Sequence, residues 1–186
     1  LFIWDPRHPV KGVRRKALVQ TIDIPATLLA FFNQPRPAAM QGRSIVPVIR
    51  SDQTIREGGL FGYFGQMTCM IYGDTVFMRA PQTPDNGPLY EYTWMLHSAQ
   101  AVDREGEFGF ATFPFTQGMP IPKIPLLNRP INEFQREDLL FNLSEDPGQM
   151  HPIQDEALKA KMCQLMAQLM RESDAPAEQF VRMGLA

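Results

Sequence analysis

Thr68-Cys69-Met70-Ile71-Tyr72-Gly73-Asp74-Thr75-Val76-Phe77-Met78-Arg79 reads as two short strands joined by a two-residue turn. Gly73 accepts the positive φ that so tight a hairpin demands. Upstream, Gly58-Gly59 opens a further strand over 60–65. Downstream, Leu89, Tyr90, Tyr92 and Trp94 mark a strand over 89–95. A last short strand over 139–143 ends at Ser144-Glu145-Asp146-Pro147-Gly148, a strong turn signal. Between them, Pro114, Pro120, Pro122, Pro125 and Pro130 argue against a long ladder, so 97–138 is expected to wrap the surface in extended form. The sheet then needs a cover. Leu158, Met162, Leu165, Met166, Leu169 and Met170 recur at helical spacing and predict a helix over 155–172. Asp155 and Glu156 suit its positive end and Arg171 its negative end. The expected class is α+β, a small antiparallel sheet packed by a C-terminal helix.

The first third of the chain reads differently. Leu1-Phe2-Ile3-Trp4 suggests a short buried strand ended by Asp5-Pro6. A helix is predicted over 21–32, with Asp23 and Pro25 in its first turn. Ile24, Leu28, Phe31 and Phe32 fall on one face of it. Asn33, Pro35 and Pro37 end it. Gln41-Gly42-Arg43-Ser44 is a turn before the apolar stretch 45–49. The expected division is 1–57 and 58–186.

Composition narrows the function classes. The chain has 186 residues, 44% hydrophobic and 20% charged, which is globular. A net charge of -2 argues against a nucleic-acid binder. No apolar run approaches the roughly 20 residues of a membrane-spanning helix. Two Cys make no disulfide framework. The apolar opening has neither a basic leader nor a cleavage site, and the chain is expected to be a piece of a larger protein.

Candidate chemistry is sparse. His8, His97 and His151 have no zinc-ligand spacing. There is no Gly-x-Ser-x-Gly and no phosphate-cradling glycine loop. Cys69 and Cys163 read as inert buried thiols, and Asp85-Asn86-Gly87 as a turn rather than a metal pair. Arg7, Lys11, Arg14, Arg15 and Lys16, with His8, form either a solvated loop or a basic rim facing an anionic substrate.

Three stretches resemble a known family in the right order. After the Leu-Phe-Ile-Trp-Asp-Pro opening comes Leu18-Val19-Gln20-Thr21-Ile22-Asp23-Ile24-Pro25-Ala26-Thr27-Leu28-Leu29. Met40-Gln41-Gly42-Arg43-Ser44-Ile45 follows, and later Leu140-Phe141-Asn142-Leu143-Ser144-Glu145-Asp146-Pro147-Gly148-Gln149. Together they resemble the C-terminal portion of a type I, formylglycine-dependent sulfatase of the alkaline phosphatase superfamily. Asn142 stands where that family usually has Asp, and Gln149 where it usually has Glu. Leu60-Phe61-Gly62-Tyr63-Phe64-Gly65 and Phe77-Met78-Arg79-Ala80-Pro81 resemble a bacterial subset.

The resemblance implies a subdomain of an alkaline-phosphatase-like α/β hydrolase, with 1–57 as the tail end of its catalytic domain. It implies a parent that hydrolyses sulfate esters using calcium and formylglycine. The missing N-terminal catalytic domain would be the partner of this chain. No Cys or Ser here sits in the family's Cys/Ser-x-Pro/Ala-x-Arg motif. The expected catalytic and metal residues in this chain are therefore none, and the chain alone is expected to be inactive. Arg7, His8, Tyr63 and Gln66 are the substrate-rim candidates. A phosphate or phosphonate ester hydrolase of the same superfamily is the alternative, and a non-catalytic interaction module a third. A homodimer hiding Leu1-Phe2-Ile3-Trp4 is a further expectation, and bacterial cytoplasm and periplasm both stay open.

Overall fold

The computed structural model describes residues 1–9, 12–95, 109–126 and 136–186. The chain divides into two compact units, Leu1–Gly59 and Leu60–Ala186.

In the first unit, helix α1 (Asp23–Phe31) is organised by its own first residue. The buried Asp23 carboxylate accepts the backbone N–H of Gln20 and of Arg43, each at 2.8 Å, and pairs with the Arg56 guanidinium. Thr27 Oγ1 donates to the Asp23 carbonyl at 2.6 Å and accepts Ile45 N–H at 3.0 Å. Gly42 approaches so closely that a Cβ there would lie 1.9 Å from the Ile22 carbonyl oxygen. The apolar stretch after it is a short helix, α2 (Val46–Ser51), with proline in its first turn. Arg15 Nη2 donates to the Ile49 and Arg50 carbonyls at 2.6 and 3.2 Å, which closes that helix. The Asp52 carboxylate accepts the Lys16 and Ala17 N–H groups.

Two expectations fail here. Leu1-Phe2-Ile3-Trp4 is not a strand, and all four side chains are exposed. The helix over 21–32 is present, but its apolar stripe Ile24, Leu28, Phe31 and Phe32 faces outward, while Asp23 and Ala26 are buried. The periodicity is sound. Among the described residues of its own unit, no layer covers the stripe.

The second unit holds two antiparallel sheets. One has the order β1-β2-β3-β7, from Gly58–Phe61, Thr68–Tyr72, Thr75–Arg79 and Leu139–Asn142. β2 and β3 form the predicted hairpin, with Tyr72 opposite Thr75 and Gly73 at φ 56°. Met70 lies opposite Phe77, and Phe77 opposite Leu140, so one row of large side chains crosses the sheet. Helix α3 (Glu156–Glu172) covers that row with Met162, Met166 and Met170. Its N-terminus is capped by Asp155, whose carboxylate accepts Leu158 N–H at 2.9 Å. The Asp138 carboxylate ties the layers together, accepting from Arg79, from Ala80 N–H and from Lys159. The architecture is α+β.

The other sheet, β4-β6-β5, is built from Tyr90–Tyr92, Ile121–Pro125 and Gly109–Ala111. It lies partly within the segment expected to be an extended wrap, much of which falls outside the described residues. β6 is the central strand despite Pro122 and Pro125. Pro122 directs its backbone toward Thr93, just past the end of β4, and its carbonyl accepts Thr93 N–H at 3.3 Å. The ladder to β5 runs over Ile121 to Lys123, so Pro125 lies outside it. Each missing N–H thus falls beyond a ladder's end. The strand expected over 60–65 stops at Phe61, and 62–66 is a loop. A final helix, α4 (Ala177–Met183), is closed by Gly184 at φ 61°.

Candidate functional site

Arg7 and His8 belong to the first unit. Arg7 grips Asp5 as a fork, Nε to Oδ1 at 3.0 Å and Nη2 to Oδ2 at 2.8 Å. Its guanidinium lies 4.1 Å over the Phe31 ring, and Nη1 donates to the Phe31 carbonyl at 3.2 Å. The side-chain hydrogen bonds from Arg7 lower the Asp5 carboxyl from 3.8 to about 2. The charge of Arg7 is thereby spent on its own neighbour. His8 donates its N–H to the Asp5 carbonyl at 2.9 Å. Its Nε2 accepts from Arg50 Nε at 3.2 Å.

Tyr63 and Gln66 lie in the 62–66 loop of the second unit, between β1 and β2. Tyr63 is 85% exposed and its neighbour Phe64 63%. The main chain beneath them is held from inside. Asn86 Nδ2 donates to the Gly65 carbonyl at 2.8 Å, and Arg182 Nη2 to the Gln66 carbonyl at 2.6 Å. Arg182 Nε donates to Asn86 Oδ1 at 2.8 Å and Nη1 to Gln179 Oε1 at 3.2 Å. Asn86 is 1% exposed and Arg182 2%. Among the described residues no carboxylate pairs with Arg182, and burial lowers its pKa to about 10. Gln66 Oε1 is buried with no hydrogen-bond partner among the described residues.

The four rim candidates therefore sort into two pairs, one on each unit. Asn86 and Arg182 were not singled out as site residues. The Pro84-Asp85-Asn86-Gly87-Pro88 stretch is the turn its composition indicates, with Asn86 at φ 61°. Nothing in it announces that the Asn86 side chain clamps a loop 21 residues away. Glu178 was also missed. It accepts from Tyr92 and from Lys123 at 2.8 Å, and Lys123 lies 4.1 Å over the Tyr90 ring. Burial pulls its carboxyl upward, but the bonds from Lys123 and Tyr92 outweigh that, leaving it below its ordinary value.

The remaining chemistry is quiet. Cys69 is buried and Cys163 half-buried, and desolvation raises both thiols above their ordinary value. His151 is exposed and donates its backbone N–H to Asp146 at 2.8 Å. His97 lies outside the described residues. Among the described residues no three His, Cys, Asp or Glu side chains come together as metal ligands. No described helix is long and apolar enough to cross a membrane.

No protein-family model matches the chain, and no curated protein matches it. The chain is similar to part of a sulfatase. That solved structure, from Bacteroides thetaiotaomicron, is described in connection with the metabolism of multiple glycosaminoglycans. The likeness covers 87% of this chain at 17% identity and a TM-score of 0.49. It covers 26% of the sulfatase, so this chain spans about a quarter of that length.

Proposed function

We propose that this chain is the C-terminal portion of a sulfatase-like hydrolase of sulfate esters. In that reading it completes the fold and lines part of the cleft, while the nucleophile and metal ligands lie on the catalytic domain that precedes it. The order of the three resembling stretches supports it, and one observation carries it. Helix α1 fixes its motif residues Asp23 and Thr27 inward by hydrogen bonds and turns Ile24, Leu28 and Phe31 outward. An amphipathic helix ordinarily buries such a stripe. Phe2 and Trp4 are equally uncovered. A further protein layer against this unit satisfies both.

Arg7, His8, Tyr63 and Gln66 are the rim candidates within this proposal. Calcium and formylglycine belong to the preceding domain. The donor set described here does not fit a metal centre, and neither thiol sits in a formylglycine motif. What this chain's own residues offer is position: Asp5 fixes Arg7, Arg50 holds the His8 ring, and Asn86 with Arg182 fix the loop of Tyr63 and Gln66.

The test is an assay of the longer protein on an aryl sulfate and an aryl phosphate, beside the 186-residue chain alone. Sulfate release by the longer protein, with none above blank from the chain, is the expected result. Turnover by the isolated chain that is lost in Cys69→Ala or Cys163→Ala would overturn the proposal. Preference for the phosphate ester would move the assignment to the phosphohydrolase branch.

A further inference from the structure

Arg182 lacks what a buried guanidinium ordinarily keeps beside it. Its three acceptors, Asn86 Oδ1, Gln179 Oε1 and the Gln66 carbonyl, are all neutral oxygens. Taking such a charge out of water is costly unless an anion accompanies it. A carboxylate stands one helical turn away. Glu178 and Arg182 are four residues apart on α4, with the acid N-terminal to the base. That is the spacing and order at which two such side chains pair across a rise of about 6 Å. Here they do not pair. Glu178 is held by the second sheet instead: it accepts the Tyr92 hydroxyl of β4 and lies 2.8 Å from Lys123 Nζ of β6. Lys123 is in turn seated 4.1 Å over the Tyr90 ring, and Tyr92 packs edge-on against Phe113 at 5.1 Å.

We propose that Glu178 is a switch between two cations, Lys123 and Arg182, and that its setting decides how firmly the 62–66 loop is held. In the structure the switch rests on Lys123. Arg182 Nη2 then donates to the Gln66 carbonyl at 2.6 Å, while its Nε holds Asn86, whose Nδ2 donates to the Gly65 carbonyl. When Tyr92 or Lys123 withdraws, Glu178 is a half-buried carboxylate short of donors. The cation one turn along its own helix is Arg182, and an ionised acceptor outcompetes a neutral carbonyl for a guanidinium N–H. Arg182 then turns from Gln66 toward Glu178, and the loop loses one of its two inner grips. The two settings compete because each leaves one cation without a carboxylate. The first gives Glu178 two donors; the second neutralises the more deeply buried charge. The device carries the state of the second sheet to the loop of Tyr63 and Gln66. That these residues face a substrate rests on the proposed function; the exchange of partners does not.

Amide hydrogen exchange of the 186-residue chain tests it, because Gln66 N–H donates to the Tyr63 carbonyl within the loop at 3.1 Å and reports its opening. Lys123→Met removes the cation and should speed Gln66 exchange by about tenfold relative to β2 and β3. Tyr92→Phe removes only the hydroxyl, leaves the ring against Phe113 and should act in the same direction by a smaller factor. The deciding step is rescue. Glu178→Gln added to either variant takes away the competing charge, and Gln66 exchange should return toward that of the unaltered chain. Acceleration that Glu178→Gln fails to reverse would overturn the switch, since damage to the second sheet alone would then loosen the loop. So would unchanged Gln66 exchange in both variants, or a rise shared equally by β2 and β3. A longer protein that proves inactive on sulfate esters, with the Glu178-dependent rescue retained, would remove the sulfatase reading and leave the switch standing.

Discussion

Residues 1–59 hold nine Lys and Arg against four Asp and Glu, whereas residues 60–186 hold nine against sixteen. The two units differ as much in what holds them together. In the first, the organising contacts are polar: Asp23 gathers two N–H groups and Arg56, Asp52 gathers two more, and Arg15, Arg36 and Arg43 spend their guanidinium donors on main-chain carbonyls. Ile24, Leu28 and Phe31 on α1 and Leu1 to Trp4 are exposed, while Ala26, Ile45 and Val48 are the buried apolar residues. In the second, Met70, Phe77, Leu140, Met162, Met166 and Met170 close a core of their own. The first unit is thus held by fixed charges while the stripe of α1 stays exposed. A segment that closes its own core needs no partner for that purpose.

The sharpest way to break this comparison is at Asp23. Asp23→Ala leaves Arg56 buried without its carboxylate and orphans two N–H groups, and should cost the first unit about 3–5 kcal/mol. Asp23→Asn keeps part of the hydrogen bonding and should fall between. Amide hydrogen exchange resolved by residue is the measurement. Protection should drop around α1 and α2 while β2, β3 and α3 keep theirs. Equal loss in both units would mean that they do not unfold separately.

Next comes the hydrophobic counterpart. Met166 is fully buried at the centre of the α3–sheet contact, so Met166→Ala should cost about 2–5 kcal/mol in the second unit. Leu28→Ala, on the exposed stripe of α1, should stay within about 0.5 kcal/mol. Denaturant titration of both variants decides. If Leu28→Ala proved as costly as Met166→Ala, the stripe would be covered in solution, and self-association would be the first thing to examine.

The same contrast explains how much was legible in the sequence. β2, β3 and α3 follow from local rules, since a two-residue turn fixes a register and a Met and Leu stripe of helical period meets the sheet within its own unit. α1 was legible as a helix, but its buried residue is Asp23, and no periodicity marks a carboxylate whose partners lie 20 and 33 residues away. Leu1-Phe2-Ile3-Trp4 was misread because apolar composition reports a tendency to be covered and not the presence of a cover. β6 was obscured because proline is judged by composition until a register shows where its missing N–H falls. At the candidate site, Tyr63 and Gln66 could be proposed from resemblance. Arg182 could not, because it meets Asn86 across 96 residues of sequence.

A smaller effect probes the edge of the self-sufficient unit. Asp155 caps α3 through Leu158 N–H, and Asp155→Ala should cost about 1 kcal/mol. A lowered melting temperature with an unchanged denaturant slope is expected. The same substitution should leave exchange in the first unit untouched.

The smallest expected effect lies at Asp5, and its sign follows from the direction of the shift. The carboxyl stands at about 2 in the fold against an ordinary 3.8, chiefly because Arg7 hydrogen-bonds the ionised form. A carboxyl depressed in this way favours the folded arrangement at every pH above its ordinary value, and that contribution fades as pH falls from about 4 toward 2. Both groups touch solvent, so the gain is modest and screened by salt. A carbon-detected NMR titration of the Asp5 carboxyl should find its midpoint near 2 at low ionic strength. In Arg7→Ala the midpoint should return toward 3.8, and the Phe31 ring should lose its guanidinium neighbour. A midpoint near 3.8 in the unaltered chain would release Arg7 from Asp5. Arg7 would then be a free cation beside His8, and the first unit would present a charge to an anionic substrate where the structure has it neutralised.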